Sequence, residues 1–167
     1  MKIWLTTDTH FNHAKLLEFG RPDNFEEKIL KNLSIIQPGD LLIHLGDFCI
    51  GQDAKWHEEF FKRLPGVKTV LVKGNHDGKS YSWYMDHGWG VVCKNMTIKV
   101  LGKYVMLSHM PWVDVGYDLN IHGHFHDSDH RRHEPELVAI KNDKQLLLAI
   151  ELTGYKPVLI TSLLTSS

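Results

Sequence analysis

Five short polar clusters follow apolar runs in this sequence, and their residue types are those that hold metal ions. Asp8-Thr9-His10 follows residues 2–7, Gly46-Asp47 follows 40–45, and Gly74-Asn75-His76-Asp77 follows 69–72. His109 comes directly after a run ending at Ser108, and His122-Gly123-His124-Phe125-His126 after one ending at Ile121. Carboxylate, imidazole and carboxamide are borderline-to-hard ligands, suited to manganese, iron, zinc, nickel or magnesium and not to copper(I). Asp8 and His10 are two residues apart, as are His124 and His126. On extended chain such side chains point the same way, so each pair is expected to face one metal centre. Gly46, Gly74 and Gly123 each precede a candidate ligand. Without a β-carbon the chain can turn sharply there, positive φ included, and a metal or phosphate can approach the backbone.

The elements that must position these groups are read from hydropathy. Residues 2–7, 40–45 and 69–72 are apolar or β-branched runs, expected as strands. Residues 14–19 predict a short helix closed by Gly20, and Asp23 with Glu26 predicts a capping box. Phe25, Ile29, Leu33 and Ile36 then recur at helical spacing until Pro38-Gly39. Residues 54–64 predict a second amphipathic helix, and residues 80–87 a third. Residues 98–101 and 104–107 predict a hairpin through Gly102-Lys103. Residues 119–121 predict a further strand. Late strands are expected at 137–140, 145–152 and 158–163, the first two joined by Asn142-Asp143. Strands alternating with helices early, then hairpins late, predict one α/β domain over residues 1–167 with mixed-sheet layers. Ligand sites in α/β sheets gather beyond the carboxyl ends of strands, so the five clusters can converge.

Composition narrows the function classes. A chain of 167 residues suits one domain and can bury a core without staples. A net charge of -1 leaves no basic surplus for a run of phosphates, so strong nucleic-acid binding is not expected, a local patch aside. No apolar run approaches membrane-spanning length, so no membrane partner is expected. The opening MKIWLTTDTH does not resemble a signal peptide. Cys49 and Cys93 make no disulfide framework and read as buried free thiols, which points to the cytoplasm.

Taken in order, Asp8-Thr9-His10, Gly46-Asp47, Gly74-Asn75-His76-Asp77, His109 and Gly123-His124-Phe125-His126 resemble the calcineurin-like metallophosphoesterase signature. All five blocks are present in the family's order and span most of the chain. The closing Tyr155-Lys156-Pro157-Val158 is similar to the end of small single-domain bacterial and phage members. The resemblance implies a four-layer α/β/β/α sandwich with mixed sheets. It also implies two divalent metal ions, manganese first, with iron, zinc, nickel or magnesium as alternatives. Asp8, His10, Asp47 and His126 would hold one ion. Asp47 would bridge, and Asn75, His109 and His124 would complete the second. His76 would stand over the phosphate and protonate the leaving oxygen, and Asp77 would orient the Gly-Asn-His turn. The implied activity is hydrolysis of a small phosphate ester, a diester ahead of a monoester, by water held between the ions. Two other classes stand beside it. One is a non-catalytic protein-binding scaffold with this fold, against which the intact ligand set counts. The other is a nuclease acting on short nucleic acids. Gly46-Asp47-Phe48-Cys49-Ile50-Gly51-Gln52 lacks the Asp-Arg pair of protein phosphatases, which argues against that activity.

Other residues carry plainer readings. His57, His87, His130 and His133 are expected to be ordinary hydrogen-bonded or surface histidines, with His57 on the wet side of its helix beside Glu58 and Glu59. His44 reads as a structural histidine inside a strand. His122 is expected to support a ligand rather than to bind metal. Asn12 is expected to cap the next helix, while His13 either caps it or reaches substrate. Arg21 either grips phosphate bidentately or is solvated in a loop. Residues 127–136 form a charged loop, either plain surface or a rim over the site. Trp56, Phe60, Phe61, Tyr81, Trp83 and Tyr84 are expected on the core faces of helices.

Overall fold

The structure, a computed structural model, describes residues 1–113, 116–127 and 143–165. Its first three strands, β1 (Ile3–Thr6), β2 (Leu41–His44) and β3 (Lys68–Val72), are parallel neighbours. Successive residues in a strand face opposite ways, and here both faces are covered. Trp4, Leu42 and Leu71 enter one core with Phe25, Ile29, Phe60 and Tyr84. These partners come from three helices, α1 (Phe25–Asn32), α2 (Asp53–Phe61) and α3 (Tyr81–Asp86). Leu5, Ile43, Val70 and Val72 face the other way, into a second core with Val105, Leu107 and Ile121. Burial on both faces is why these runs are continuously apolar.

A short β4 (Val91–Cys93) joins the far edge of β3, parallel to it, and was not anticipated. Three residues carry too little pattern to announce a strand. The second sheet has the order β5-β6-β7-β8, from β5 (Asn95–Val100), β6 (Lys103–Ser108), β7 (Leu119–His122) and β8 (Gln145–Leu147). Its first pair is antiparallel and the others parallel. The expected hairpin is present, but Val100 pairs with Lys103, so Leu101-Gly102 forms the turn. Both turn residues have positive φ, 49° and 83°, which matches the twist of the flanking strands. The chain closes with β9 (Val158–Leu159), antiparallel to β1, and α4 (Ile160–Thr165). The first sheet therefore has the order β4-β3-β2-β1-β9.

The α/β class with two mixed sheets is as anticipated. α1 to α3 line the outer core, and Ile160 and Leu164 of α4 pack into the core between the sheets.

Local differences have physical reasons. The helix at 14–19 is a 3-10 turn, Ala14–Leu17, with Gly20 at φ 94°. The capping box does not form. Asn24 occupies the N-cap, and Glu26 accepts instead from the Asn12 amide at 2.5 Å. The strand at 145–152 stops at Leu147, because the chain then turns to bring Glu151 inward. The run 158–163 becomes helical after Leu159, since Ile160 and Leu164, four apart, are both buried. The strand at 137–140, Asn142, His130, His133 and the 127–136 loop beyond Asp127 lie outside the described residues.

Candidate metal centre

All five polar clusters meet where β1, β2, β3, β6 and β7 end. Asp8, His10 and His126 form one group, and Asp47, His109 and His124 a second; within each, donor atoms lie within 4.8 Å of one another. Asp47 stands between them, its Oδ2 3.5 Å from His10 Nε2 and 3.3 Å from His109 Nε2. Asn75 Oδ1 and His124 Nδ1 lie 3.0 Å and 3.1 Å from that same His109 nitrogen.

Hydrogen bonds aim the donors inward. Asp8 Oδ2 accepts from the Thr7 hydroxyl and the His124 amide, which leaves Oδ1 facing His10 Nε2 at 3.7 Å. Both of those atoms are buried without a hydrogen-bond partner. His109 donates from Nδ1 to the Leu45 carbonyl at 2.8 Å and so turns Nε2 toward Asp47. Burial works against ionising Asp8 and Asp47. The imidazoles of His10, His109 and, for Asp8, His126 outweigh it and hold both carboxyls below the usual range. Burial likewise works against a charge on His109, yet Asp47 and Asp8 push it up to about 9. His10 is pushed down, chiefly by burial. Two ionised carboxylates, orphaned inward-facing atoms and an imidazole held cationic describe a place that favours positive charge. The donor set fits divalent metal ions.

The glycines work differently from the expectation. Only Gly46 of the three has positive φ, at 95°. A β-carbon at Gly74 would overlap the Asp47 carboxylate, and one at Gly123 would overlap Thr7 and the Asp8 carboxylate. The space they leave is filled by ligand side chains. The left-handed backbone falls on the candidate ligands themselves: Asp8, His10, Asp47, His124 and His126 have φ of 48°, 46°, 57°, 75° and 51°. Asp and His tolerate this region better than most residues, and such strain gathers at functional sites. Backbone bonds hold it in place, Asp8 N to Gly46 O at 2.9 Å and His10 N to Asp47 O at 3.0 Å. The same-face argument for residue pairs therefore fails, because these segments are not extended. Asp8 and His10 do share a group, but His124 and His126 fall in different groups.

Around the ligands lie residues whose roles can now be read. Asp77 is buried and accepts from the amides of Asp47, Phe48 and Gly74 at 2.8, 3.0 and 2.7 Å. These bonds tie the loop after β2 to the turn after β3. Burial pushes the Asp77 carboxyl up. Arg21 is neither solvated nor free to grip phosphate. It is 5% exposed and donates to the carbonyls of Asp8 and Thr9 and, twice, to Glu151 Oε1. Glu151 escaped the sequence reading. It also accepts from His126 Nδ1 at 3.0 Å, which leaves His126 Nε2 directed at Asp8. A lone acid inside the apolar run 145–152 was the signal that could have marked it.

His44 is structural, as expected. It accepts from the Gly46 amide and shares a hydrogen bond with Thr9. His122 donates to the Gly123 carbonyl at 3.0 Å, and joins neither metal group. Asn12 caps nothing; its amide side chain bridges to Ile50 and Gln52. His13 makes no capping bond and lies in a cleft of about 290 Å³ lined by His10, Arg21, His76, His126 and Glu151. His57 is not on a wet face. It is 1% exposed, against Phe48, Trp83 and Tyr84. Phe60 and Tyr84 are core residues, whereas Tyr81 is exposed. Cys49 is buried and Cys93 half-buried, both free thiols.

A family model described as calcineurin-like phosphoesterase matches residues 1–159. An uncharacterized protein of Methanocaldococcus jannaschii is 31% identical over 171 residues, 94% of this chain and 86% of that one. A protein of unknown function from Aquifex aeolicus has the same fold, with a TM-score of 0.75 at 26% identity over 99% of each chain. The fold is shared as well by a Pseudomonas putida nuclease, with a TM-score of 0.52 at 23% identity, over 74% of this chain and 61% of that one. No helix among the described residues is long and apolar enough to cross a membrane.

Proposed function

The chain belongs to the calcineurin-like phosphoesterase family, and from that premise we propose that it hydrolyses phosphodiesters at a binuclear metal centre. The observation that carries this reading is the place of Asp47. Its Oδ2 faces His10 of one ligand group and His109 of the other at 3.5 Å and 3.3 Å, so one carboxylate can serve both. Asp8, His10, Asp47 and His126 would hold one cation, and Asp47, Asn75, His109 and His124 the other, manganese first among the candidates. Two such cations, when bound, supply Lewis acidity toward the phosphoryl oxygens and a water acidic enough to attack near neutral pH.

The chain's own groups do the rest. Asp77 keeps the Asp47 loop and the Gly74-Asn75 turn in register through its three amide bonds. His76 stands at the open side. Its amide is fixed to Asp47 Oδ1 at 2.9 Å, while its side chain is 38% exposed. Its ring lies 5.3 Å from that of His10, and its Nε2 is 3.9 Å from Asp47 Oδ2. When the ester bond breaks, negative charge builds on the leaving oxygen. The proton on His76 Nε2 is placed to neutralise it, a contribution of roughly 10²–10⁴-fold.

The test is metal analysis combined with turnover of bis-aryl and mono-aryl phosphate esters and cyclic nucleotides in the presence of manganese. Two metal equivalents and faster turnover of diesters than monoesters are expected. Two bound metals with no turnover of any ester would refute hydrolysis and leave the protein-binding scaffold.

A further inference from the structure

A second groove adjoins the centre on the side of Asn75 and His109, away from the cleft at His13 and Arg21. It is lined by Lys73, Asn75, Lys94, His109, Pro111 and Trp112 among others. Its wall is the chain that leaves β6, and that stretch is held by an unusual number of polar side chains. Asn120 of β7 is fully buried. Its Oδ1 accepts from the Trp112 amide at 2.7 Å, and its Nδ2 donates to the Met106 carbonyl and to Ser108 Oγ at 3.1 and 2.9 Å. Ser108 Oγ donates in turn to the Met110 carbonyl at 2.6 Å. Gln145 of β8 donates to the Trp112 carbonyl at 3.0 Å, and the Tyr117 hydroxyl donates to the same oxygen. A buried carboxamide in a strand is unfavourable unless it is bonded. Here its bonds converge on one loop and fix Trp112 at both its amide and its carbonyl. The backbone that carries this half-buried indole beside the reacting centre is thereby ordered before any ligand arrives, which lowers the entropy lost on binding.

The charge of the groove is one-sided. Lys94 is exposed and has no hydrogen bond or ion pair among the described residues. Lys73 is held by the Lys79 carbonyl at 2.6 Å, with its ammonium 4.9 and 5.4 Å from the Tyr81 and Tyr84 rings. Among the described residues no carboxylate lines this groove, whereas Asp127 and Glu151 line the cleft at His76. A phosphodiester has two arms. One must leave on the side of the general acid; the other needs a place of its own, and a monoester would leave that place empty.

Resting on the phosphoesterase reading above, we propose that this groove seats the non-leaving arm of a nucleotide phosphodiester, with the base on Trp112 and a further phosphate at Lys94. Stacking of a base on an aromatic side chain supports such binding by roughly five- to hundredfold.

The test uses the metal-loaded full-length protein and two p-nitrophenyl diesters, one with a methyl arm and one with thymidine 3′-phosphate joined through its 5′ oxygen. The expected result is that Trp112→Ala raises the ratio of the nucleotide KM to the methyl KM by roughly five- to hundredfold and Lys94→Ala raises it by about two- to fivefold, with kcat for the nucleotide ester moving far less. An unchanged ratio in both variants overturns the proposal. If neither ester is turned over, the phosphoesterase reading fails, and calorimetric binding of thymidine 3′,5′-bisphosphate judges the groove separately. Weaker binding in both variants supports the groove. No binding by the parent protein, or binding indifferent to both variants, overturns it. Lys94 is exposed, so Lys94→Ala remains informative if Trp112→Ala does not fold.

Discussion

Replacing Glu151 by Ala strands two buried groups at once. Oε1 accepts from Arg21 Nε at 2.9 Å, Arg21 Nη2 at 2.6 Å and His126 Nδ1 at 3.0 Å. Burial works to raise the Glu151 carboxyl, but His126 and Arg21 outweigh it and hold it below its usual value. The pair is therefore fully formed near pH 7.5 and fails only as pH falls through that lowered value. Without Glu151, Arg21 keeps its carbonyl partners but loses its counter-charge. Breaking a buried ion pair from one side costs about 3–5 kcal/mol. His126 also loses the acceptor that presents Nε2 to the Asp8 group, and loss of such a partner weakens metal binding about 10–100-fold. Glu151→Gln also removes the counter-charge but keeps an acceptor oxygen, so it should cost less than Glu151→Ala by about 1–2 kcal/mol, the worth of the retained hydrogen bonding. The assays are urea unfolding of the metal-free protein and calorimetric titration with manganese. Glu151→Ala is expected to lower stability by the larger amount and to weaken one of two binding events while sparing the other. Wild-type stability together with two unaltered events would show that the buried pair does not position His126.

Two further outcomes follow from packing and burial. Gly123→Ala drives a β-carbon into Thr7 and the Asp8 carboxylate, so the metal at the Asp8 group should be lost at a stability cost of about 1–3 kcal/mol; two equivalents bound at parental affinity would refute the contact. Burial, the main cause, pushes His57 down to about 4 from 6.5. The unfolded chain therefore takes up the proton first on acidification. Stability should fall by about 3 kcal/mol as pH drops from 6.5 to 4, and His57→Phe should flatten that slope in urea unfolding. Identical slopes in the two proteins would contradict it.

The centre was legible because it demands residue types that have few other reasons to follow strands. Asp8, His10, Asp47, Asn75, His109, His124 and His126 could be gathered from motif order alone, and the structure brings them together. Their backbone was not legible. Left-handed φ at Asp8 or His126 depends on the neighbouring loop that holds it, which no local pattern records. Glu151 stayed hidden because its partner Arg21 lies 130 residues away. His57 misled because its neighbours Glu58 and Glu59 are charged, although its spacing to Phe60 and Leu64 places it on the buried stripe. Asn120 looked like an ordinary strand residue, and its work of fixing the loop after His109 appears only once β7 lies beside β6.

The central claim is that seven side chains hold two metals while His76 supplies the acid that metals cannot. The most direct measurement is metal content and diester turnover on one preparation of His76→Ala. Two metal equivalents retained, with turnover reduced roughly 10²–10⁴-fold, is the expected result. Parental turnover with both metals bound would remove His76 from the chemistry, and fewer than two equivalents in the parent protein would contradict the binuclear centre itself.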